Sequence, residues 1–444
     1  MNSFKKPNKK PNAIKAVVIA CLALLLGFTV ATRTGNVQDL STTKNSTQPF
    51  SGQIIPGQYI VTLKDGVNPA TLIGPHTLIG GQQGLSEDQV RIYKYALNGF
   101  ATGLSANQAI SLENDPRVEA VEPDRVIMLD KESMTATNVK AWVTGEEELP
   151  PGISRIEADK SSSFTKDNSN INLAIIDAGV TDHEDENVVY HKNHSGKEGK
   201  HAHGTHVAGT AGAKKNGKYV IGVCPGVAIW DEQALDARGS GSLSGVVAAI
   251  DDVTAHSKAK VKPGEKYIHA ANMSLGGEFQ SDALDKSITN SVEAGVTYIV
   301  AAGNSNKDAA KFSPANHPKV ICVSAMADYD GVGGGKGTAT CRDDADDSRA
   351  SFSNYGSLIT IAAPGVCINS CMPGNQTGVM SGTSMASPTV AGLVCLIIAK
   401  NPNNTPAQNK DALLAASKKQ SDPDYGFTGD PDKYPEPMAN ASAF

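Results

Sequence analysis

Gly382-Thr383-Ser384-Met385-Ala386-Ser387-Pro388, followed by the apolar run 389–399, is the stretch on which the reading of the chain turns. Val390, Leu393, Val394 and Ile397 recur at helical spacing, and Asn401-Pro402 ends the run. The spacing therefore predicts a buried helix with Ser384 at its start. A serine there sits on a Gly-led turn, beside unpaired backbone N–H groups and the positive end of the helix dipole. Both favour negative charge growing on or near its oxygen. Gly382 and Ala386 keep bulk away, so a peptide backbone can come close. Taken alone, a serine before an apolar helix is ordinarily an N-cap and nothing more. Other segments of this chain supply the partners that a nucleophilic serine needs.

The first is Asp177, which closes the apolar run 171–176. It is an acid at the carboxyl end of a strand apolar enough to be buried on both faces. Asp182 and Asp185 lie nearby, but neither ends an apolar strand. The second is His201-Ala202-His203-Gly204-Thr205-His206. Three histidines in six residues suggest zinc, yet no Glu or Cys stands at ligand spacing and Gly204 breaks the cluster. One imidazole beside Ser384 and Asp177 would take the serine proton while the acid fixed its tautomer. A further element is Asn304, which follows a buried strand and Gly303 and could donate its side-chain amide to an oxyanion.

From residue 150 onward, strands are expected at 171–176, 228–235, 267–275, 296–302, 320–325 and 358–362. Helices are expected at 203–213, 244–255, 281–294 and 384–399. That alternation predicts an α/β fold, a doubly wound and mostly parallel sheet with helices on both faces. Ligands bind such sheets at the carboxyl ends of the strands.

Together the residues resemble the subtilisin-like serine endopeptidases, closest to the proteinase K-like branch. Four patches carry the likeness: Ile176-Asp177-Ala178-Gly179, the run His203-Gly204-Thr205-His206-Val207-Ala208-Gly209-Thr210, Ala301-Ala302-Gly303-Asn304, and the serine stretch itself. Their order, Asp then His then Ser, agrees, and the likeness runs from about residue 150 to the C-terminus. An α/β-hydrolase elbow would need Gly where Ala386 stands. The resemblance implies Asp177, His203 and Ser384 as a catalytic triad, Asn304 as an oxyanion donor, and His206 as structural. It implies that Ser274-Leu275-Gly276 pairs with the substrate backbone and walls the specificity pocket. Gly239-Ser240-Gly241 would form the opposite edge. Ala301, Ala302 and Gly303 would form the other wall, with Phe312 near the base. These walls carry no acid, so an apolar or aromatic residue should precede the scissile bond. The rival is a catalytically inactive relative that only binds peptides, because the family's usual hydroxyl after the acid is here Ala178.

The rest of the chain fits a precursor. Five lysines among the first 15 residues precede the apolar run 16–31, and Thr29-Val30-Ala31 offers small residues for cleavage, so 1–31 reads as a signal peptide. An uncleaved anchor is the alternative, but the run of about 16 is short for a membrane span. Residues 32–56 are a polar linker. Residues 57–130 read as a small α+β unit, with strands at 59–63, 99–104 and 118–121 and helices at 85–95 and 106–113. It resembles the family's inhibitory propeptide through Gly57-Gln58-Tyr59-Ile60-Val61-Thr62-Leu63-Lys64 and Val118-Glu119-Ala120-Val121-Glu122-Pro123-Asp124. Residues 131–149 form a connector, with a maturation cut expected between Leu129 and Glu148, and 150–444 the peptidase domain.

The expected product is a secreted monomer without stable membrane association, whose partners are protein substrates and its own propeptide. A net charge of −6 gives no basic field for nucleic acid. No cofactor should be needed for catalysis, and no metal ligands are assigned. Structural calcium has little support, since Thr360 and the Lys214-Lys215 loop stand where relatives place oxygen ligands. Beyond Cys21, six cysteines remain. Cys341, Cys367 and Cys371 are the expected bridge formers, and Cys322 and Cys395 read as buried thiols.

Overall fold

Asn172–Asp177 lies inside an eight-stranded sheet and is buried along its whole length. The computed structural model describes residues 50–74, 78–79, 82–83, 85, 89–141, 145–262 and 264–444. The expected signal peptide and the linker as far as residue 49 lie outside these. Across the sheet the order is Val188–Asn193, Ala228–Gln233, Asn172–Asp177, Ala270–Met273, Thr297–Ala301 and Ile321–Ala327, all parallel. Ile361–Pro364 then pairs in parallel with Ile321–Ala327, and the two-residue strand Ser348–Arg349 pairs antiparallel. The strand order reverses between Asn172–Asp177 and Ala270–Met273. A crevice opens at the carboxyl ends where such a reversal occurs.

Both faces of the sheet are covered, which is why its strands read as apolar runs. Leu173 and Ile175 face a core containing Val207, Ala208 and Ala211 of the helix Ala202–Gly212. The same core takes Val390, Leu393, Val394 and Ile397 of the helix Thr383–Lys400. Ala174 and Ile176 face the opposite core, with Val246, Val247 and Ile250 of Leu243–Ala255 and Leu284 and Ile288 of Asp282–Glu293. Burying one such Leu or Ile is worth about 1.5–3 kcal/mol. Thr383–Lys400 is long and apolar enough to cross a membrane, but it is a core helix, buried over most of its length.

The N-terminal unit is an antiparallel sheet in the order Val118–Met128, Ile54–Leu63, Gly99–Gly103, Arg91–Tyr93. The helix Ala106–Glu113 packs on it, started by a capping box between Ser105 and Gln108. Alternation divides its first strand. Val61 and Leu63 enter the unit's own core, whereas Ile60 joins the core under Leu243–Ala255 and Asp282–Glu293.

Three expectations need correction here. The first strand starts at Ile54, inside the stretch assigned to the linker, because Ile54 already pairs with Arg125. Arg91–Tyr93 is a strand and not part of a helix; it pairs with Gly99–Gly103, and Tyr93 is buried while Ile92 is exposed. The third strand runs on to Met128, since its end pairs with Ser240–Ser242 of the C-terminal region.

The connector is exposed but tied down. Thr137–Ala141 pairs with Gln376–Met380, and Glu147–Glu148 with Tyr219–Val220. Cys341 and Cys367 form a disulfide. Cys371, expected among the bridge formers, is instead a buried thiol packed with Ala213 and Val220, because its strand turns it inward.

Candidate active site

Ser384 stands in the first turn of Thr383–Lys400, which Gly382 introduces. Four residues later comes Pro388, which has no amide hydrogen for the Ser384 carbonyl. Ser274 Oγ donates to that carbonyl instead, at 2.9 Å. Asn272 steadies both sides: its Nδ2 donates to Ser274 Oγ at 3.0 Å, and its Oδ1 accepts from Ser387 Oγ at 2.7 Å. Ser274, just past the strand Ala270–Met273, is thus fastened to the helix that carries Ser384.

His203 enters from the first turn of Ala202–Gly212. Gly204 lets this helix end approach closely, since a Cβ there would meet the Gly179 carbonyl at 2.4 Å. The contact brings His203 Nδ1 within 2.8 Å of Asp177 Oδ1 and 3.0 Å of Oδ2. Asp177 Oδ1 also accepts the Ala178 N–H at 2.7 Å, so a backbone donor orients the acid although residue 178 has no hydroxyl. Both side chains are fully buried.

The three histidines do not converge. His201 Nδ1 accepts the His203 N–H at the helix start. His206 Nε2 lies 2.9 Å from the Ile368 carbonyl and 3.1 Å from that of Gly378. Burial pushes the His206 pKa down to about 3, so it is neutral and structural. A shared zinc has no footing there.

Asn304 follows Gly303, whose φ of +100° makes the turn. Its Oδ1 accepts from Thr383 N and Thr383 Oγ1, both at 2.8 Å, which turns the amide nitrogen towards the cleft. There Nδ2 donates to Asp130 Oδ2 at 3.1 Å. Thr383 is the supporting residue that sequence reading missed, and its only signal was its place beside the serine.

The chain's own segment 127–130 fills the cleft. Ile127 is in register with Gly241 and Met128 with Ser240, and the Leu129 N–H donates to the Gly239 carbonyl at 2.9 Å. Met128 also bridges to Gly276 on the opposite wall. The segment therefore lies as a strand between the edges 239–241 and 274–276. Asp130 comes to the mouth of a pocket walled by Leu275, Ala301, Ala302, Gly303, Phe312 and Ala315. None of those walls is charged. Beyond Asp130, the turn Lys131–Ser133 puts Ser133 Oγ 3.3 Å from Ser384 Oγ, which is also 3.3 Å from the Ser274 carbonyl. His203 Nε2 is buried and without a hydrogen-bond partner.

The two places that the resemblance suggested for calcium do not fit it. Thr360 Oγ1 accepts the Cys322 N–H, and Lys214 Nζ donates to the Glu184 carbonyl. Asp328, Asp330 and Asp346 do converge elsewhere, but Arg155, buried and 3.5 Å from Asp328, already supplies a cation to that group.

The pattern of the subtilase family matches residues 119–430, and that of the peptidase inhibitor I9 family residues 58–130. The alkaline serine protease ver112 of Corniculantispora psalliotae is 34% identical over 355 residues, covering 78% of this chain and 81% of that protein. The extracellular serine proteinase of Thermus sp. (strain Rt41A) is 32% identical over 434 residues, covering 88% of this chain and 93% of that protein. A solved structure of a cold adapted subtilisin-like serine proteinase, 32% identical, covers 62% of this chain and 90% of its own, with a TM-score of 0.48.

Proposed function

The chain belongs to the subtilase family of serine endopeptidases and carries an inhibitor I9 propeptide, and from that premise we propose a secreted, self-processing enzyme whose triad is Asp177, His203 and Ser384. In this reading Ser384 Oγ attacks the carbonyl carbon of the scissile peptide bond, and His203 Nε2 takes its proton. Asp177 accepts the Nδ1–H and stabilises the imidazolium. Asn304 Nδ2 donates to the oxyanion of the tetrahedral intermediate. His203 then returns the proton to the leaving amine, and water hydrolyses the acyl-enzyme by the same route. Substrates pair their backbone with 239–241 and 274–276, as 127–130 does, and put an apolar side chain between Leu275 and Ala302.

The observation that carries this reading is the 2.8 Å pair of His203 and Asp177, in which the far ring nitrogen of His203 is buried and unpartnered. The strand register supports a particular maturation cut. With Leu129 on Gly239 and Met128 on Gly276, the bond entering the serine is Asp130–Lys131. The Asp130 carbonyl now accepts from Ser133 N and Ser133 Oγ, both at 3.1 Å. Opening that turn frees the carbonyl and Ser384 together.

A serine-directed phosphonate tests the chemistry, and the N-terminus of the mature protein tests the cut. Labelling at Ser384 and a chain starting at Lys131 are expected. An unlabelled, fully folded mature protein would point to the inactive peptide binder that Ala178 suggests.

A further inference from the structure

The edge of the main sheet carries three titratable side chains that peptide hydrolysis does not use. His194 follows the strand Val188–Asn193, Glu232 lies on Ala228–Gln233, and Asp252 on the helix Leu243–Ala255. One ligand atom from each lies within 4.8 Å of the others. His194 Nε2 is 2.7 Å from Glu232 Oε2, and Asp252 exposes only 10% of its side chain. Glu232 is fully buried, and its Oε1 has no hydrogen-bond partner. A buried carboxylate oxygen in that state calls for a proton or a cation.

The Lys192 ammonium reaches Asp252 Oδ1, while the Tyr190 hydroxyl donates to Asp252 Oδ2 at 2.8 Å. Lys192 leaves 48% of its side chain exposed, so it can swing out without disturbing the core. His256, one turn beyond Asp252, has its Nδ1 at 2.9 Å from the Asp252 carbonyl and 3.7 Å from Asp252 Oδ2, at the margin of the group.

We propose that His194, Glu232 and Asp252 form a binding site for a zinc-like divalent cation. One imidazole nitrogen with two carboxylates suits a borderline ion, whereas calcium and magnesium favour all-oxygen sites. On binding, the metal takes the place of the proton shared by Nε2 and Oε2, which leaves to solvent, and the Lys192 ammonium is displaced. The site clamps the sheet edge to a helix that also holds the propeptide. The next residue, Asp251, accepts the N–H groups of Lys94, Tyr95 and Ala96, and Arg91 donates to the His194 carbonyl at 2.9 Å.

The test is calorimetric titration of the full-length Ser384→Ala chain, freed of metal with a chelator, using zinc alone. One equivalent should bind, with affinity falling by at least about 100-fold in Glu232→Gln and in His194→Ala. Lys192→Ala, an exposed change that does not threaten folding, should bind more tightly than the parent. His201→Ala should bind as the parent does. The proposal is overturned if neither the parent nor Lys192→Ala takes up one equivalent. It is equally overturned if Glu232→Gln binds as tightly as the parent, or if His201→Ala removes the binding.

Discussion

Pro388 withholds from Ser384 the amide hydrogen that would have closed the first turn of their helix, and Ser274 Oγ takes its place at 2.9 Å. The proline thus turns a local helical bond into a bond between the helix and the sheet. Ser274→Ala leaves a buried carbonyl without a donor and should cost about 1–3 kcal/mol. In Pro388→Ala the helix can supply its own donor, so adding Ser274→Ala should then cost much less. Urea midpoints of the four proteins, all made as Ser384→Ala to prevent self-digestion, measure the coupling. Equal costs in both backgrounds would show that the bond carries no such role.

Asn304 is pinned by Thr383 so that its amide nitrogen faces the cleft. Asn304→Leu should lower kcat by about 10²–10³ with KM little changed, a magnitude carried over from subtilisin itself. Steady-state kinetics on a peptide amide decide it, and wild-type turnover would remove Asn304 from the oxyanion role.

Asp130 brings a carboxylate to the mouth of an uncharged pocket and spends the Asn304 amide on it. Asp130→Leu frees that donor and fills the pocket with a side chain whose burial is worth about 1.5–3 kcal/mol. Processing should accelerate by about tenfold or more, with the new N-terminus still at Lys131. Pulse-chase electrophoresis of the precursor gives the rate; a slower variant would mean that the acid assists the cut.

Glu122 and Asp124 point the same way from the propeptide strand and cap two peptidase helices. Glu122 Oε1 accepts from Ser281 Oγ and Ala283 N, and Asp124 from Ser244 N and Oγ. Burial pushes the Glu122 carboxyl up to about 7, against the hydrogen bonds from Ser281 and Ala283. Once undocked, it returns towards the ordinary 4.5. The docked form therefore keeps its proton better. Docking is strongest below about pH 4.5, weakens as pH rises towards 7, and gains nothing more from this group above that. Gel filtration of the nicked complex across this range should show release increasing with pH, and Glu122→Gln should flatten the response.

The Cys341–Cys367 bridge closes a loop with a sequence separation of 26. Cys341→Ser should destabilise the protein by up to about 3–4 kcal/mol on chain-entropy grounds. Thermal melts with and without reductant check this: the parent should fall to the variant's value under reduction. The variant itself should not respond.

What the sequence determined by itself is the layered fold and the local setting of the proposed catalytic residues. Ser384, His203, Asp177 and Asn304 sit at element ends whose rules are local: glycine for a close approach or a positive φ, small residues at a helix start, an apolar run for a strand buried on both faces. The period of those runs was enough to place the four expected helices and the six expected strands to within a few residues, but it missed the half-exposed parallel strand Val188–Asn193, which makes no apolar run, and the helix Pro406–Ala416. It failed at Arg91–Tyr93, whose conformation a partner strand decides. What only the tertiary structure decided are pairings between segments far apart in the chain. Examples are Ser274 on Ser384, Glu122 on the Asp282–Glu293 helix, Cys341 with Cys367, and 127–130 threaded between 239–241 and 276. A side chain's local sequence states its own donors and acceptors but not which distant orphan it will satisfy, and that choice is made when the sheet and its helices close around one another.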